Sequence, residues 1–228
     1  MMPFIFQSKT RRRPAEDQVD CESTVKLILL GETNAGKTSI ALRFANDDFS
    51  PYSESTIGAS FFEKSIIINE SSDGESSPKR RKVIFNIWDT AGQEKYHALA
   101  SIYYRGAGAA VLVYDISRPG SFSVLQSWAE ELKGKGPEGI LIIVCGNKVD
   151  LEATGDRKVS SDDAKSYADG IGAHYIETSA RNNTNVRELF EYIAEQIPNM
   201  PNIANADESA GSTQIQLGAT EVRNRACC

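Results

Sequence analysis

Apolar residues gather in short, nearly continuous runs at residues 25–30, 109–115 and 140–146. Runs of this length suit strands covered on both faces, as in a parallel sheet. Residues 60–68 are rich in β-forming types, residues 82–88 resume as a strand, and a short strand is expected near His174-Tyr175-Ile176. Helical spacing follows at residues 39–44 and 121–133, the latter with Phe122, Leu125, Trp128 and Leu132 on one face. Here Trp128 reads as core. Residues 160–169 and 184–197 predict two further helices, with Ser160 and Thr184 as caps. Strands therefore alternate with helices, which predicts an α/β doubly wound sheet. Ligands of such sheets sit at the carboxyl ends of strands.

The polar stretches set the boundaries. Residues 1–23 read as a flexible extension with a small basic cluster, Lys9 and Arg11-Arg12-Arg13. Residues 49–58 form an exposed loop. Residues 70–82 are hydrophilic and of low complexity, and read as the mobile insert of a β-hairpin. Its Lys79-Arg80-Arg81-Lys82 run is expected to be solvated surface. From residue 198 to 228 the pattern dissolves into a flexible tail. Residues 24–197 are left as one domain.

Composition changes little. The chain has 228 residues, 40% hydrophobic and 25% charged, with a formal net charge of -6. That balance gives no reason to expect nucleic acid as a partner. Cys21 and Cys145 lie far apart and Cys227-Cys228 are adjacent, a spacing of neither a disulfide framework nor a zinc site. No apolar run approaches the ~20 residues of a membrane span, so membrane contact is expected through a tail or a lipid.

The chemistry begins at Gly31-Glu32-Thr33-Asn34-Ala35-Gly36-Lys37-Thr38, followed by Ser39. This is G-x-x-x-x-G-K-[ST] between a strand and a helix, the context in which backbone N–H groups wrap a phosphate. The helix N-terminus adds partial positive charge. Lys37 would reach the β- and γ-phosphates and the Thr38 hydroxyl would ligate Mg²⁺. Next, Asp89-Thr90-Ala91-Gly92-Gln93 follows a strand. Asp89 can hold the Mg²⁺ shell through water, Gly92 can offer an N–H to a terminal phosphate, and Gln93 can orient an attacking water. Then Asn147-Lys148-Val149-Asp150 follows another strand. A carboxylate at Asp150 accepts the paired N–H donors of guanine, which adenine lacks. Asn147 can brace the phosphate loop, and the Lys148 stem can cover the base. Last, Glu177-Thr178-Ser179-Ala180-Arg181 offers the Ala180 N–H to guanine O6. His97 and His174 read as ordinary surface or packing residues. A small-molecule phosphotransferase would not need Asn147 and Asp150 for the base.

The order of these motifs resembles the Ras superfamily of small GTPases. Ile57-Gly58-Ala59-Ser60-Phe61, Ile87 to Glu94 and Tyr103-Tyr104-Arg105-Gly106-Ala107 resemble the Rab family. The stretch from Glu54 to Ala59, Lys95-Tyr96-His97 and Glu177 to Ala180 are similar to its early-endosomal branch. The resemblance implies a P-loop GTPase fold: a mostly parallel six-stranded sheet, helices on both faces and one antiparallel hairpin strand. It implies a GTP/GDP switch that hydrolyses GTP slowly without an activating protein and recruits effectors in vesicle traffic. Thr56 would join the Mg²⁺ shell, Phe49 would touch the guanine edge, and Ser179 and Arg181 would join the base site. Ile57, Phe61, Trp88 and Tyr103 would form an effector surface, although the residues alone also allow Trp88 as core. Cys227-Cys228 resembles the ending that receives two geranylgeranyl groups, enough lipid for stable anchoring. The implied partners are an exchange factor, a GTPase-activating protein, effectors, a prenyl-transfer escort and a membrane-extraction carrier. The implied place is the cytoplasmic face of early endosomes, with a cytosolic extracted form. Thr33 and Asn34 depart from the family's smaller residues, so a GTP-binding scaffold with little hydrolysis stays open. Arg181 replaces the usual Lys.

Overall fold

Six strands build one sheet in the order β2-β3-β1-β4-β5-β6. The computed structural model describes residues 19–52, 54–70, 79–92 and 102–197. In chain order the strands are β1 (Cys21–Leu30), β2 (Ala59–Glu70), β3 (Lys79–Thr90), β4 (Ala109–Asp115), β5 (Leu141–Asn147) and β6 (His174–Thr178). The α-helices are α1 (Lys37–Asn46), α2 (Pro119–Lys135), α3 (Ser161–Ile171) and α4 (Val186–Gln196), with a 3₁₀ turn at Val149–Thr154. Only β2 runs antiparallel to its neighbour; the other pairings are parallel. The α/β class and the single antiparallel hairpin strand are as the sequence predicts.

Both faces of the sheet are covered. On one face Leu27, Leu29, Phe85, Ile87, Val111 and Val113 pack with Ile40 of α1 and Leu189, Phe190 and Ile193 of α4. On the other, Ile28, Leu30, Leu112 and Val144 pack with Leu125, Trp128 and Leu132 of α2 and Ala164 and Ala168 of α3. Every residue of β4 is buried, which explains its unbroken apolar run. Trp128 is core, as its helical spacing implies.

Ser160 caps α3 by accepting a hydrogen bond from the Asp162 N–H at 3.2 Å. Thr184 is not a cap. Its backbone pairs with Ser179 in both directions at 3.0 Å, and Asn185 takes the cap position of α4. The loop closed by that bridge uses Thr184 before the helix can.

The hairpin differs from expectation at both ends. Glu70 and Lys79 to Lys82, read as part of a mobile insert, are paired in β2 and β3. Cys21 to Ser23, read as part of the extension, pair with Arg81 to Val83. Nor is Arg81 solvated. It is 4% exposed. Its Nε donates to Glu70 Oε1 at 2.5 Å, Nη1 to Ser23 Oγ at 3.0 Å and Nη2 to the Ala194 carbonyl at 2.7 Å. A forked guanidinium can satisfy three acceptors from three elements, so a charged residue becomes a clasp between the hairpin and the end of α4. The expectations for residues 1–18, 71–78, 93–101 and 198–228 lie outside the described residues, Gln93, His97, Cys227 and Cys228 among them.

Arg81→Ala should destabilise the fold by about 2 kcal/mol, because it leaves the Ala194 carbonyl without its donor in a buried place. Urea unfolding checks this. A midpoint unchanged from the parent would restore the solvated reading.

Candidate functional site

The parallel strands β1, β3, β5 and β6 all end at one edge of the sheet. The chain runs to one side of β1 for β2 and β3 and to the other for β4 to β6. Such a reversal opens a crevice at the carboxyl ends. Here a cavity of about 370 Å³ is lined by Thr33, Asn34, Gly36, Lys37, Thr38, Ser39, Phe49, Thr56, Gly92, Asn147, Lys148, Asp150, Ala180 and Arg181. Ser50, Pro51, Glu54, Ser55 and Leu151 also line it, none of which the sequence singled out.

At the phosphate end, α1 starts without a side-chain cap and without an acid in its first turn. Its first N–H groups therefore remain available to an anion. Lys37 Nζ donates to the carbonyls of Gly31 at 3.0 Å and Glu32 at 3.1 Å, arching the loop over the helix. Gly31 and Gly36 have φ of 139° and 96°. A Cβ on Gly31 would lie 2.1 Å from the Val113 carbonyl oxygen, so only glycine fits. Gly92 presses on the same loop: a Cβ there would stand 2.4 Å from Thr33 N.

Beside Lys37 three oxygens converge. Thr38 Oγ1 donates to Asp89 Oδ2 at 2.6 Å, Thr56 Oγ1 donates to the same oxygen at 3.2 Å, and the two hydroxyls stand 2.9 Å apart. Asp89 is fully buried and its Oδ1 has no hydrogen-bond partner. An oxygen-rich cluster with a spare carboxylate oxygen suits a hard divalent cation such as Mg²⁺. Thr38 and Thr56 would hold it directly and Asp89 through water. The cation would neutralise phosphate charge. Burial raises the Asp89 pKa, opposed by the bonds from Thr38 and Thr56 and by the Lys37 charge. Burial also pushes the Lys37 ammonium down to about 8, against the pull of Asp89 and Glu32.

At the opposite end, Asp150 Oδ1 accepts from Ser179 Oγ at 2.5 Å, and Arg181 Nη1 stands 3.9 Å from Oδ2. Asn147 Nδ2 donates to the Ala35 carbonyl at 2.9 Å, while its Oδ1 accepts from Thr178 Oγ1 at 3.2 Å and the Ala180 N–H at 3.3 Å. The brace from Asn147 to the phosphate loop is thus present. Lys148 Nζ reaches Asp115 Oδ2 at 2.7 Å. Burial raises the Asp115 carboxyl, but Lys148 and two bonds from Ser117 outweigh it and hold the pKa low.

Several sequence-predicted residues shape the cavity without facing it. Gly31, Glu32, Ala35 and Ser179 are absent from its lining. Gly31 and Ala35 serve through their carbonyls, Ser179 through Asp150, and Glu32 Oε1 turns to Arg118 Nη2 at 3.1 Å. Sequence reading missed Asp115 and Arg118. Asp115 had one signal, its place at the end of a fully apolar run; an exposed Arg after it gave none. Away from the cavity, Phe61 and Trp88 meet edge to face at 5.6 Å, and Trp88 and Tyr103 lie 5.9 Å apart. Phe61 is 53% and Ile57 85% exposed, so this aromatic group reaches the surface. Trp88 is half-buried rather than core. His174 stacks on Tyr192 and does packing work.

The sheet order and the glycine loop before α1 define a Ras-like P-loop fold. A family model described as the Ras family matches residues 26–199. Among similar proteins is the Ras-related protein Rab-31 of Mus musculus, 45% identical over 205 residues, or 90% of this chain and 97% of the relative. Rab-5A of Dictyostelium discoideum is 43% identical over 202 residues, 89% of this chain and 94% of the relative. Rab-22A of Mus musculus is 43% identical over 204 residues, 90% and 97% respectively. This chain belongs to the Ras family of small GTPases and is Rab-like.

The lowered Lys37 pKa has a consequence for binding. A phosphate needs the ammonium, so above pH about 8 binding must take up a proton that the empty site has lost. GDP affinity should be flat below pH about 8 and fall towards about tenfold per pH unit above it. Titration of fluorescent GDP across that range checks this. A flat profile throughout would mean that Lys37 keeps its proton as an ordinary lysine does.

Proposed function

We propose that this protein is a GTP/GDP-cycling switch that hydrolyses GTP and recruits effectors to membranes in vesicle traffic. The observation that carries the proposal is the two-ended cavity. An uncapped helix start with Lys37 stands at one end, the Asp150 carboxylate at the other, and Asn147 ties the two. A phosphate site alone would serve many reactions; a carboxylate set across from it selects a base. Bound GTP with Mg²⁺ would order the segments carrying Thr56 and Gly92, and hydrolysis would release them. Gln93 would position the attacking water. The exposed Ile57 and Phe61, with Trp88 and Tyr103, form the surface that effectors would read in the ordered state.

The similarity to Rab-31, Rab-5A and Rab-22A supports an endocytic setting, on the cytoplasmic face of early endosomes. Cys227 and Cys228 would carry two prenyl groups, added with an escort and shielded by an extraction carrier. An exchange factor and a GTPase-activating protein would drive the cycle. A second reading is a GTP-holding scaffold with slow turnover. It is favoured by Thr33 and Asn34, which depart from the family's smaller residues in the phosphate loop and line the cavity there. Single-turnover hydrolysis by the parent chain, with and without an activating protein, separates the two.

Asp150→Asn should weaken GTP by about 100-fold, since roughly 3 kcal/mol of charge-assisted hydrogen bonding is lost. Xanthosine triphosphate, whose C2 carbonyl accepts from an amide, should gain. Unchanged GTP affinity in competition titrations would remove Asp150 from base recognition.

Gln93→Leu keeps bulk but loses donor and acceptor. Activator-stimulated hydrolysis should fall by about 100-fold while GTP affinity stays at the parental value. Undiminished stimulated turnover would exclude Gln93 from the mechanism.

A further inference from the structure

Arg43 lies in the last turn of α1, the helix whose first residues, Lys37 and Thr38, line the phosphate end of the cavity. Its side chain is 15% exposed. Nε donates to the Ala180 carbonyl at 2.9 Å and Nη2 to the Arg181 carbonyl at 3.3 Å. Nη1 donates to the carbonyl and the carboxylate of Asp47, at 2.9 and 3.0 Å. The guanidinium carbon stands 6.0 Å from the centre of the Phe49 ring, within cation–π range. Asp47 is itself the C-cap of α1, and its carboxylate also takes the Asn183 amide at 3.4 Å.

Three of the four residues this side chain touches share a property. Ala180, Arg181 and Phe49 line the cavity, while Asp47 does not and instead fixes the guanidinium at the end of α1. Arg43 does not line it. The loop at residues 179–184 is closed on itself by a single backbone bridge. Outward-facing carbonyls at 180 and 181 are otherwise weak handles, because a carbonyl needs a donor fixed in place. A planar fork on a helix supplies two such donors at fixed separation, and a lysine would supply one mobile point charge. The helix therefore carries the phosphate end on its first turn and grips the base end from its last.

We infer that Arg43 is a positioning residue. It holds the Ala180-Arg181 loop and Phe49 closed over the base, and so sets how slowly nucleotide leaves. The inference rests on the nucleotide reading above and adds a residue that never touches the nucleotide. It also predicts that loosening the base end needs no change at Lys37, Thr38 or Asp150.

The test is displacement of a fluorescent GDP from the full chain by excess GDP, with Mg²⁺ present. Arg43→Ala should raise the dissociation rate by about tenfold or more, with the association rate at its parental value. Arg43→Lys, which keeps the stem and the charge but cannot fork, should fall between parent and Ala. Asn46→Ala, an exposed residue of the same helix, should dissociate as the parent does. If Arg43→Ala also lowers the urea midpoint, Arg43→Lys decides. Faster dissociation at a parental midpoint supports the inference, and parental dissociation overturns it. A parent that holds GDP while both Arg43 variants release it at the parental rate overturns this inference alone. A parent that binds no GDP overturns the nucleotide reading and this inference together.

Discussion

The buried amide of Asn147 joins the parts of the site. One end donates to the Ala35 carbonyl in the glycine loop, and the other accepts from Thr178 and Ala180 at the opposite end of the cavity. At 1% exposure the amide has no water to fall back on, so each lost partner would leave a desolvated group costing about 1–3 kcal/mol. Its position follows from register. Asp115, Asn147 and Thr178 lie in one row across β4, β5 and β6, because parallel strands pair without slip. The amide in turn dictates Gly36, where a Cβ would come within 2.2 Å of Nδ2. A glycine that looks like part of a phosphate loop is therefore also demanded by a residue 111 positions on, by the difference of the two residue numbers.

Charge is arranged around that joint in graded steps. The start of α1 carries no cap and no acid, which leaves its partial positive charge unopposed. Lys37 is buried among acceptors that do not neutralise it fully, and Asp89 is buried with one oxygen spare. Each group alone would be a liability in a core. Together they make a site whose electrostatics a phosphate and a divalent cation would complete. Farther out, Lys148 is answered by Asp115 and Asp150 is held by Ser179. The base end is thus internally compensated, and the phosphate end is not.

This division explains what could be read from the sequence. Strands covered on both faces announce themselves as apolar runs, and β4 is the clearest case. Loops at strand ends announce themselves by residue types that only one geometry uses, as Gly31, Gly36 and Asn147 do. What stayed hidden were charged residues acting through long-range partners. Arg81 sits in a run of four basic residues, and nothing local marks it as the one that turns inward. Its acceptors, Glu70, Ser23 and Ala194, are spread over three elements. Asp115 and Arg118 meet their partners only after the sheet has formed. The cap of α4 was misplaced for a similar reason: Thr184 has the right chemistry, but the bridge to Ser179 claims its backbone first.

Among the described residues, those other than glycine with positive φ are Asn34, Asp47, Lys148, Asn183 and Asn185. All lie in the loops at the cavity edge of the sheet or at the ends of helices that leave it. Asparagine and aspartate tolerate this conformation, because short polar side chains can bond locally. Lysine has no such aptitude, so Lys148 at φ 70° requires an external hold. The Asp115 carboxylate supplies one at 2.7 Å, and Asp115 is itself fixed by the backbone and hydroxyl of Ser117. Backbone strain of this kind persists only where surrounding bonds over-determine it. Lys148 also lines the cavity, at the end that holds Asp150. The geometry that presents Lys148 to a ligand is therefore not a local preference of its loop. It is imposed from β4, and it depends on the same parallel register that seats Asn147.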